Sequence, residues 1–192
     1  GVSDKAAQLV LSRFMDPEQI AKSRQFPFRF LSAYKAAPSL RWGHGLETAL
    51  KYSMSNVPMF DGRTLVLIDT SASMRNGVSG KSQVRHVDVA ALVGLTFAHR
   101  SKGKVDVIGF ADNAFVFPVT KGGSVLKDMH TFEGQIGSVG HGTNTVAALQ
   151  ATYDGHNRVI ICHDGQFGNF RYAWPSLSTA ISKDVPLFSI DT

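Results

Sequence analysis

The chain has 192 residues, of which 43% are hydrophobic and 18% are charged, so its composition excludes a disordered protein and two domains of ordinary size. Its apolar runs are far shorter than the ~20 residues of a transmembrane helix, and no membrane partner is predicted. The formal net charge is +5, and residues 1–60 hold eight Lys or Arg against four acidic residues. This basic bias is compatible with nucleic acid as a partner.

Residues 1–60 are predicted to form short helices. Asp16 can accept hydrogen bonds from free N–H groups at a helix start, and Pro17 fits the first helical position. A second helix is predicted to begin at Pro27. A third helix carries apolar residues spaced by four, namely Leu46, Leu50 and Met54.

From residue 64 onward, apolar runs alternate with helical patterns. Strands are predicted over 64–68, 104–111, 114–119, 158–163 and 185–190. Helices are predicted over 81–100, 124–132, 145–152 and 177–183, with a glycine-rich loop over 134–142. Unbroken apolar strands that alternate with helices indicate a mostly parallel sheet covered on both faces. The predicted fold is therefore a doubly wound, Rossmann-like α/β domain over 61–192, preceded by a helical segment over 1–60.

The single cysteine, Cys162, lies in the predicted strand over 158–163. One cysteine cannot form an internal disulfide, and we expect a buried, inert thiol. Because no oxidising compartment is called for, the predicted location is cytoplasmic.

Three polar clusters lie where ligands bind in such sheets, beyond the carboxyl ends of the strands. They are residues 69–73, residues 142–143 in the glycine-rich loop, and residues 163–165. Asp69, Ser71 and Ser73 are alternate residues after the strand over 64–68, so an extended turn would offer their oxygens on one side. Thr143 in the glycine-rich loop can add a hydroxyl, and Asp164 after the strand over 158–163 can add a second carboxylate. Mg²⁺ prefers oxygen ligands, and Mn²⁺ or Ca²⁺ would also fit. Two carboxylates just neutralise a divalent ion, and if Asp164 acts through water the ion stays electrophilic and has room for an acidic partner group.

These residues resemble a metal site of a known family. The run LIDTSASM at 67–74, with Thr143 and Asp164 in later loops, is similar to the metal-ion-dependent adhesion site (MIDAS) of von Willebrand factor A domains. The resemblance implies that Asp69, Ser71, Ser73, Thr143 and Asp164 are metal ligands. It covers residues 64–192.

A narrower resemblance concerns the segment before this region. The runs LSRF at 11–14, IAKSR at 20–24, PFRFL at 27–31 and LETAL at 46–50 resemble TROVE proteins, the Ro autoantigen family, as do VIGFA at 107–111 and FPVT at 117–120. In that family a ring of helical repeats binds small non-coding RNA and the ends of misfolded RNA, and the A domain closes the ring. The basic residues that we would assign to RNA contact are Arg13, Lys22, Arg24, Arg29 and Arg41.

Several alternatives remain open at this stage. The cluster at 69–73 could be only a polar turn with a helix cap, and the domain could be a scaffold or could bind an acidic protein without any RNA. An aspartyl-phosphate hydrolase would need a second acid where Ser71 stands, so an enzyme is not predicted.

Asp112 is interpreted as a turn former rather than an outer-shell metal group. His141 and His163 are expected to bind loop backbone.

Overall fold

The computed structural model describes residues 3–37, 39–57, 59–166 and 177–192. It divides into two compact units. The helical unit comprises Gly1–Val57 with Lys81–Val84, and the sheet unit comprises Pro58–Gly80 with Arg85–Thr192. No helix in the described part of the chain has the length and apolar character that crossing a bilayer requires.

The helical unit contains α1 (Asp4–Phe14), α2 (Pro17–Ser23), α3 (Pro27–Ala36) and α4 (Leu40–Ser53). The predicted start at Asp16 is confirmed, because its carboxylate accepts hydrogen bonds from the N–H groups of Glu18 and Gln19, at 2.9 and 3.2 Å. The predicted start at Pro27 is also confirmed.

Helix α4 is the centre of the helical unit, and α1, α2 and α3 each pack against it. Leu46 and Leu50 are buried in α4, as their spacing predicts. Met54 is buried as well, but it begins a short 3-10 turn instead of continuing the helix.

The sheet unit is built, within its described residues, on five strands: β1 (Thr64–Asp69), β2 (Val105–Phe110), β3 (Ala114–Phe117), β4 (Arg158–His163) and β5 (Leu187–Asp191). Their order is β3-β2-β1-β4-β5. All neighbouring pairs are parallel except β2 and β3, and β3 is the antiparallel edge. The central strand β1 is buried over its whole length.

Helices cover both faces of this sheet. Helix α5 (His86–Arg100) lies on one face, where a Cβ added to Gly94 would stand 2.7 Å from Ile68 Cδ1. On the other face, Leu149 of α7 (Thr145–Thr152) belongs to one apolar cluster with Leu65 and Leu67. Because Leu67 and Ile68 are adjacent in β1, their side chains point to opposite faces. The predicted doubly wound α/β fold is confirmed.

The predicted helix over 81–100 is too long at its start. Residues 81–85 form a turn in which the Ser82 hydroxyl accepts a hydrogen bond from Val84 N–H at 3.0 Å. Short polar side chains of this kind compete with the helical backbone bonds. The helix begins instead at His86, where Asp88 accepts a hydrogen bond from Arg85 N–H at 2.7 Å.

The last two predicted elements also differ in their bounds. Only residues 177–180 of the predicted helix over 177–183 are helical, and a turn follows in which Val185 N–H donates to Ser182 O. The final strand begins at Leu187 rather than at residue 185. Pro186 has no N–H for the ladder, although its carbonyl accepts a bond from Val159 N–H at 3.0 Å. Helix α6 (Val125–Glu133) agrees with its prediction within one residue.

Candidate metal centre

The carboxyl ends of β1 and β4 bring two acidic residues to one edge of the sheet. Asp69 is the last residue of β1, and Asp164 directly follows β4. The two strands are parallel neighbours, with Ile68 opposite Cys162. Ligands bind at this edge in doubly wound sheets because the loops there surround the strand ends.

Both carboxylates are held in the same way. Asp69 Oδ1 accepts a hydrogen bond from Ser71 N–H at 2.7 Å, and Asp164 Oδ1 accepts one from Gln166 N–H at 3.0 Å. The Oδ2 atoms of both residues are buried and have no hydrogen-bond partner in the described part of the protein. A buried carboxylate oxygen without a partner is costly, so each of these oxygens needs a cation or a proton.

The environment of Asp69 favours its protonated form. The pKa of Asp69 is raised to about 6, chiefly by burial and to a smaller extent by the nearby Asp164 carboxylate, while hydrogen bonds from Ser71 oppose the shift. The side chain is only 1% exposed. Among the described residues, the Asp69 carboxylate therefore lacks a positive group that would stabilise its charge.

Two hydroxyls lie beside the carboxylates. Ser71 is buried and Ser73 is half-buried, and their Oγ atoms are 3.4 Å apart. Ser73 begins a short 3-10 turn that ends at Arg75. Ala72 has helical backbone angles, so the turn over residues 69–73 is not extended as predicted, but the Ser71 hydroxyl still hydrogen-bonds the Asp69 carboxylate.

The loop that carries Thr143 is fixed against its neighbours on both sides. His141 O accepts a hydrogen bond from Ala72 N–H at 2.9 Å, which joins this loop to the turn of Ser71 and Ser73. On the other side, Asn144 N–H donates to Ala111 O at 2.8 Å. Thr143 lies between these anchors with an exposed side chain.

Asp112 does more than form a turn. It lies in the bend between β2 and β3, but its carboxylate also accepts hydrogen bonds from the N–H groups of His141, at 2.9 Å, and Gly142. These bonds lower the pKa of Asp112. A Cβ at Gly140 or Gly142 would stand 2.0 or 2.2 Å from an Asp112 oxygen, so the loop can close on this carboxylate only with glycine at both positions.

The two histidines near this edge have different surroundings. His163 Nδ1 accepts a hydrogen bond from Gly165 N–H at 2.8 Å, and its Nε2 faces Ser189 Oγ. Burial lowers the pKa of His163, so the neutral ring fixes the turn that carries Asp164. His141 Nδ1 lies 3.4 Å from an Arg75 guanidinium nitrogen, a contact that the sequence did not reveal.

The five basic residues predicted to contact RNA all belong to the helical unit. They are exposed and lie on different helices or at helix ends. Some are already engaged: Arg41 forms a 2.6 Å ion pair with Asp4, and Lys22 lies 3.4 Å from Glu18. The Arg29 guanidinium lies 5.3 Å from the centroid of the Phe28 ring, while Arg13 and Arg24 extend from the ends of α1 and α2.

The donor set at the sheet edge is made of oxygens. The described residues contain no group of three or more His, Cys, Asp or Glu that could hold a metal, so any ion there would need the serine and threonine hydroxyls. Cys162 is buried in β4, and burial raises the pKa of its thiol to about 12, which removes it as a thiolate ligand. Carboxylates with hydroxyls fit a hard divalent cation such as Mg²⁺.

Comparison with known protein families agrees with this fold. The sequence model of the von Willebrand factor type A domain matches residues 64–165, which therefore form an A domain. The model of the TROVE domain matches residues 1–104. Since that match spans more than half of the chain, the chain belongs to the TROVE family.

A solved structure has a similar fold. The crystal structure of the Ro (RSR) protein of Deinococcus radiodurans aligns with 97% of this chain, with a TM-score of 0.65 and 20% sequence identity. The chain spans 41% of the length of that protein's chain. Comparison with curated protein sequences gave no significant match.

The buried Asp69 carboxylate predicts a pH-dependent stability in the metal-free protein. The unfolded residue loses its proton near the ordinary pKa of 3.8, but the folded one keeps it up to a pH of about 6. The folded state therefore binds more protons in this interval, and the free energy of unfolding falls as the pH rises. With chelator present, Asp69→Asn should be more stable than the native chain at pH 7 by roughly 3 kcal/mol.

Urea unfolding at pH 4 and pH 7 measures this difference. The advantage of Asp69→Asn should nearly vanish at pH 4, because the native Asp69 is then protonated in the folded state. An advantage of the same size at both pH values would contradict the account.

The Asp112 carboxylate predicts a local effect on the glycine-rich loop. Asp112→Ala removes the acceptor of the His141 and Gly142 N–H groups, so their amide hydrogen exchange should become at least severalfold faster. Asp184→Ala, which removes an exposed acid from another loop, is the matched control and should leave both rates unchanged. Unchanged exchange in Asp112→Ala would show that the loop does not depend on this residue.

Proposed function

We propose that the A domain of this chain binds a divalent metal ion through Asp69, Ser71, Ser73, Thr143 and Asp164, and uses it to bind an acidic group of a partner. The observation that carries the proposal is the pair of buried Oδ2 atoms, one on each aspartate, that no described protein group binds. A cation between neighbouring strand ends would satisfy both oxygens. It would also offset the burial, and the smaller repulsion from Asp164, that together raise the pKa of Asp69.

The charges of this donor set favour binding of an anion. Two carboxylates only just neutralise a divalent ion and the three hydroxyls add no charge, so with Asp164 bound through water the direct ligand shell carries a net positive charge. A bound ion would therefore keep its affinity for a further carboxylate or phosphate oxygen. The Arg75 guanidinium, on the turn that Ser73 begins, adds positive charge to the same rim.

We infer a binding role rather than a catalytic one. Asp69 has no carboxylate two residues later that could transfer a proton, because position 71 is serine. The hydroxyl of Ser71 lies 3.4 Å from Ser73 Oγ and also hydrogen-bonds Asp69, the same carboxylate that we assign to the metal. This arrangement supports binding through a metal, because a carboxylate that ligates an ion is a poor base toward Ser71.

For the protein as a whole, we propose a Ro-like RNA-binding protein of the cytoplasm that acts in the handling of small non-coding RNA. Membership of the TROVE family supports this proposal, and so does the excess of basic residues in the first 60 positions. The second candidate is an A domain that binds an acidic protein through its metal with no RNA role. The exposed metal-site rim favours that candidate, since Thr143 is open to solvent.

Metal binding should stabilise the fold. Mg²⁺ or Mn²⁺ at about 100 times its Kd should add about 2.7 kcal/mol and raise the Tm by roughly 5–10 °C. Asp69→Ala should abolish this shift, whereas Asp184→Ala should keep it. A shift of equal size in Asp69→Ala, measured by differential scanning calorimetry, would place the metal elsewhere.

RNA and acidic-protein partners respond differently to salt and to chelator. If the chain binds RNA, log K should fall steeply and linearly with log salt, by about 0.7 for each phosphate contact with a single strand. Fluorescence anisotropy with labelled RNA measures this slope. An affinity that is lost on adding chelator, but is insensitive to moderate salt, would support the acidic-protein candidate instead.

A further inference from the structure

We infer that the junction of α2 and α3 binds an unpaired base of single-stranded RNA on the exposed ring of Phe26, with Arg24 and Arg29 contacting the adjoining phosphates. The inference deepens the proposed RNA-binding function and rests on it. It concerns the junction residues 22–29, and all of them lie in the helical unit.

An exposed aromatic pair marks this junction. Phe26 is 70% exposed, although it is a large apolar residue in a unit with its own buried core. Its ring is nearly parallel to that of Phe28, with an interplanar angle of 12° and centroids 6.0 Å apart. One side of the Phe26 ring is therefore supported by Phe28, and a planar group can stack on the other.

The junction holds Phe26 in place before any ligand binds. Arg24 ends α2 in a left-handed conformation, with φ of 50°, and reverses the chain. Gln25 is tied back to Ser23 twice, through N–H to Oγ at 3.3 Å and through Nε2 to the carbonyl at 3.4 Å. Pro27 then fixes the backbone on the other side of Phe26. Less conformational freedom is lost when a ligand binds a residue that is already fixed.

The charge around this aromatic pair fits a phosphate backbone. No Asp or Glu occurs between residues 19 and 46, whereas five Lys or Arg residues do. Lys22 is neutralised by Glu18, but Arg24 and Arg29 are exposed on either side of Phe26 in the chain. The Arg29 guanidinium also lies over the Phe28 ring, 5.3 Å from its centroid, so a positive charge adjoins the aromatic pair.

Together these features favour single-stranded RNA over an acidic peptide. A peptide would use the positive charges but would have no need for an exposed, parallel aromatic pair. Unpaired bases stack on aromatic and guanidinium planes, and the neighbouring phosphates bind arginine. A base in a duplex is already stacked on both sides, so duplex RNA should bind more weakly at this junction.

The test is fluorescence anisotropy of the whole chain with a fluorescein-labelled decamer of uridylate. Phe26→Ala should weaken binding roughly tenfold, because stacking on an aromatic ring carries much of the affinity for each base. Phe26→Tyr, which keeps an aromatic ring, should bind within about twofold of the native affinity. Leu9→Ala, which removes an apolar side chain that is 57% exposed on α1, is the matched control and should bind as the native chain does.

Two further probes separate stacking from charge. Phe26→Ala should not change binding of a decamer with the same sugar-phosphate backbone but without bases. Arg24→Gln with Arg29→Gln should lower the salt slope by about 0.7 for each phosphate contact removed, and Phe26→Ala should leave that slope unchanged.

The results that overturn the inference are distinct from those that overturn the proposed function. Native-like uridylate binding by Phe26→Ala, or equal weakening by Leu9→Ala, excludes the Phe26 site while RNA binding itself stands. If Phe26→Ala weakens the binding of polyglutamate as strongly as it weakens the binding of uridylate, the junction is an acidic peptide site instead. If the native chain binds no RNA, the inference is wrong, and so is RNA binding by this chain.

Discussion

Asp69 and Asp164 are held at one edge of a parallel sheet, and each has a buried carboxylate oxygen that no group in the described part of the protein binds. Because β1 and β4 are parallel neighbours, both strands end at the same edge of the sheet and place the two acids there. Each aspartate uses its other oxygen to bind the backbone N–H two residues later, which fixes its own turn. The Ser71 hydroxyl hydrogen-bonds Asp69, and the glycine-rich loop is joined to the same turn by the bond from Ala72 N–H to His141 O. A divalent ion at this point would satisfy the charge that the fold leaves unbalanced.

Much of the sheet and of this edge could be predicted from the sequence because the signals are local. Unbroken apolar runs identified the parallel strands, and the proximity of Asp69 to Asp164 followed from their positions at strand ends. The start of α5 could not be predicted, since it depends on competition between Ser82 and the helical backbone. The role of Asp112 depends on the approach of a loop some thirty residues later in the chain. Glycine on both sides of His141 was the signal that could have revealed it.

In the helical unit, the same distinction between local and distant effects applies. Asp16 and Pro27 predicted two helix starts correctly, because a cap acts on its own first turn. Composition, in contrast, could not show that Phe26 is exposed, since a phenylalanine is expected to be buried. The two units thus differ in the chemistry that we propose for them: oxygen donors for a cation in the A domain, and stacked rings with arginines for a nucleotide in the helical unit.

The most direct measurement of the central claim is anomalous scattering at the manganese edge from crystals of this chain grown with Mn²⁺. A divalent ion bound at this site gives one strong peak at the carboxyl edge of β1 and β4, within about 2.1 Å of oxygens from the serines of the 69–73 turn and within direct or water-bridged reach of both aspartates. We expect the peak to disappear in Asp69→Ala. A fully ordered edge with no peak at saturating Mn²⁺, or a peak that is bound only at other residues, would contradict the claim.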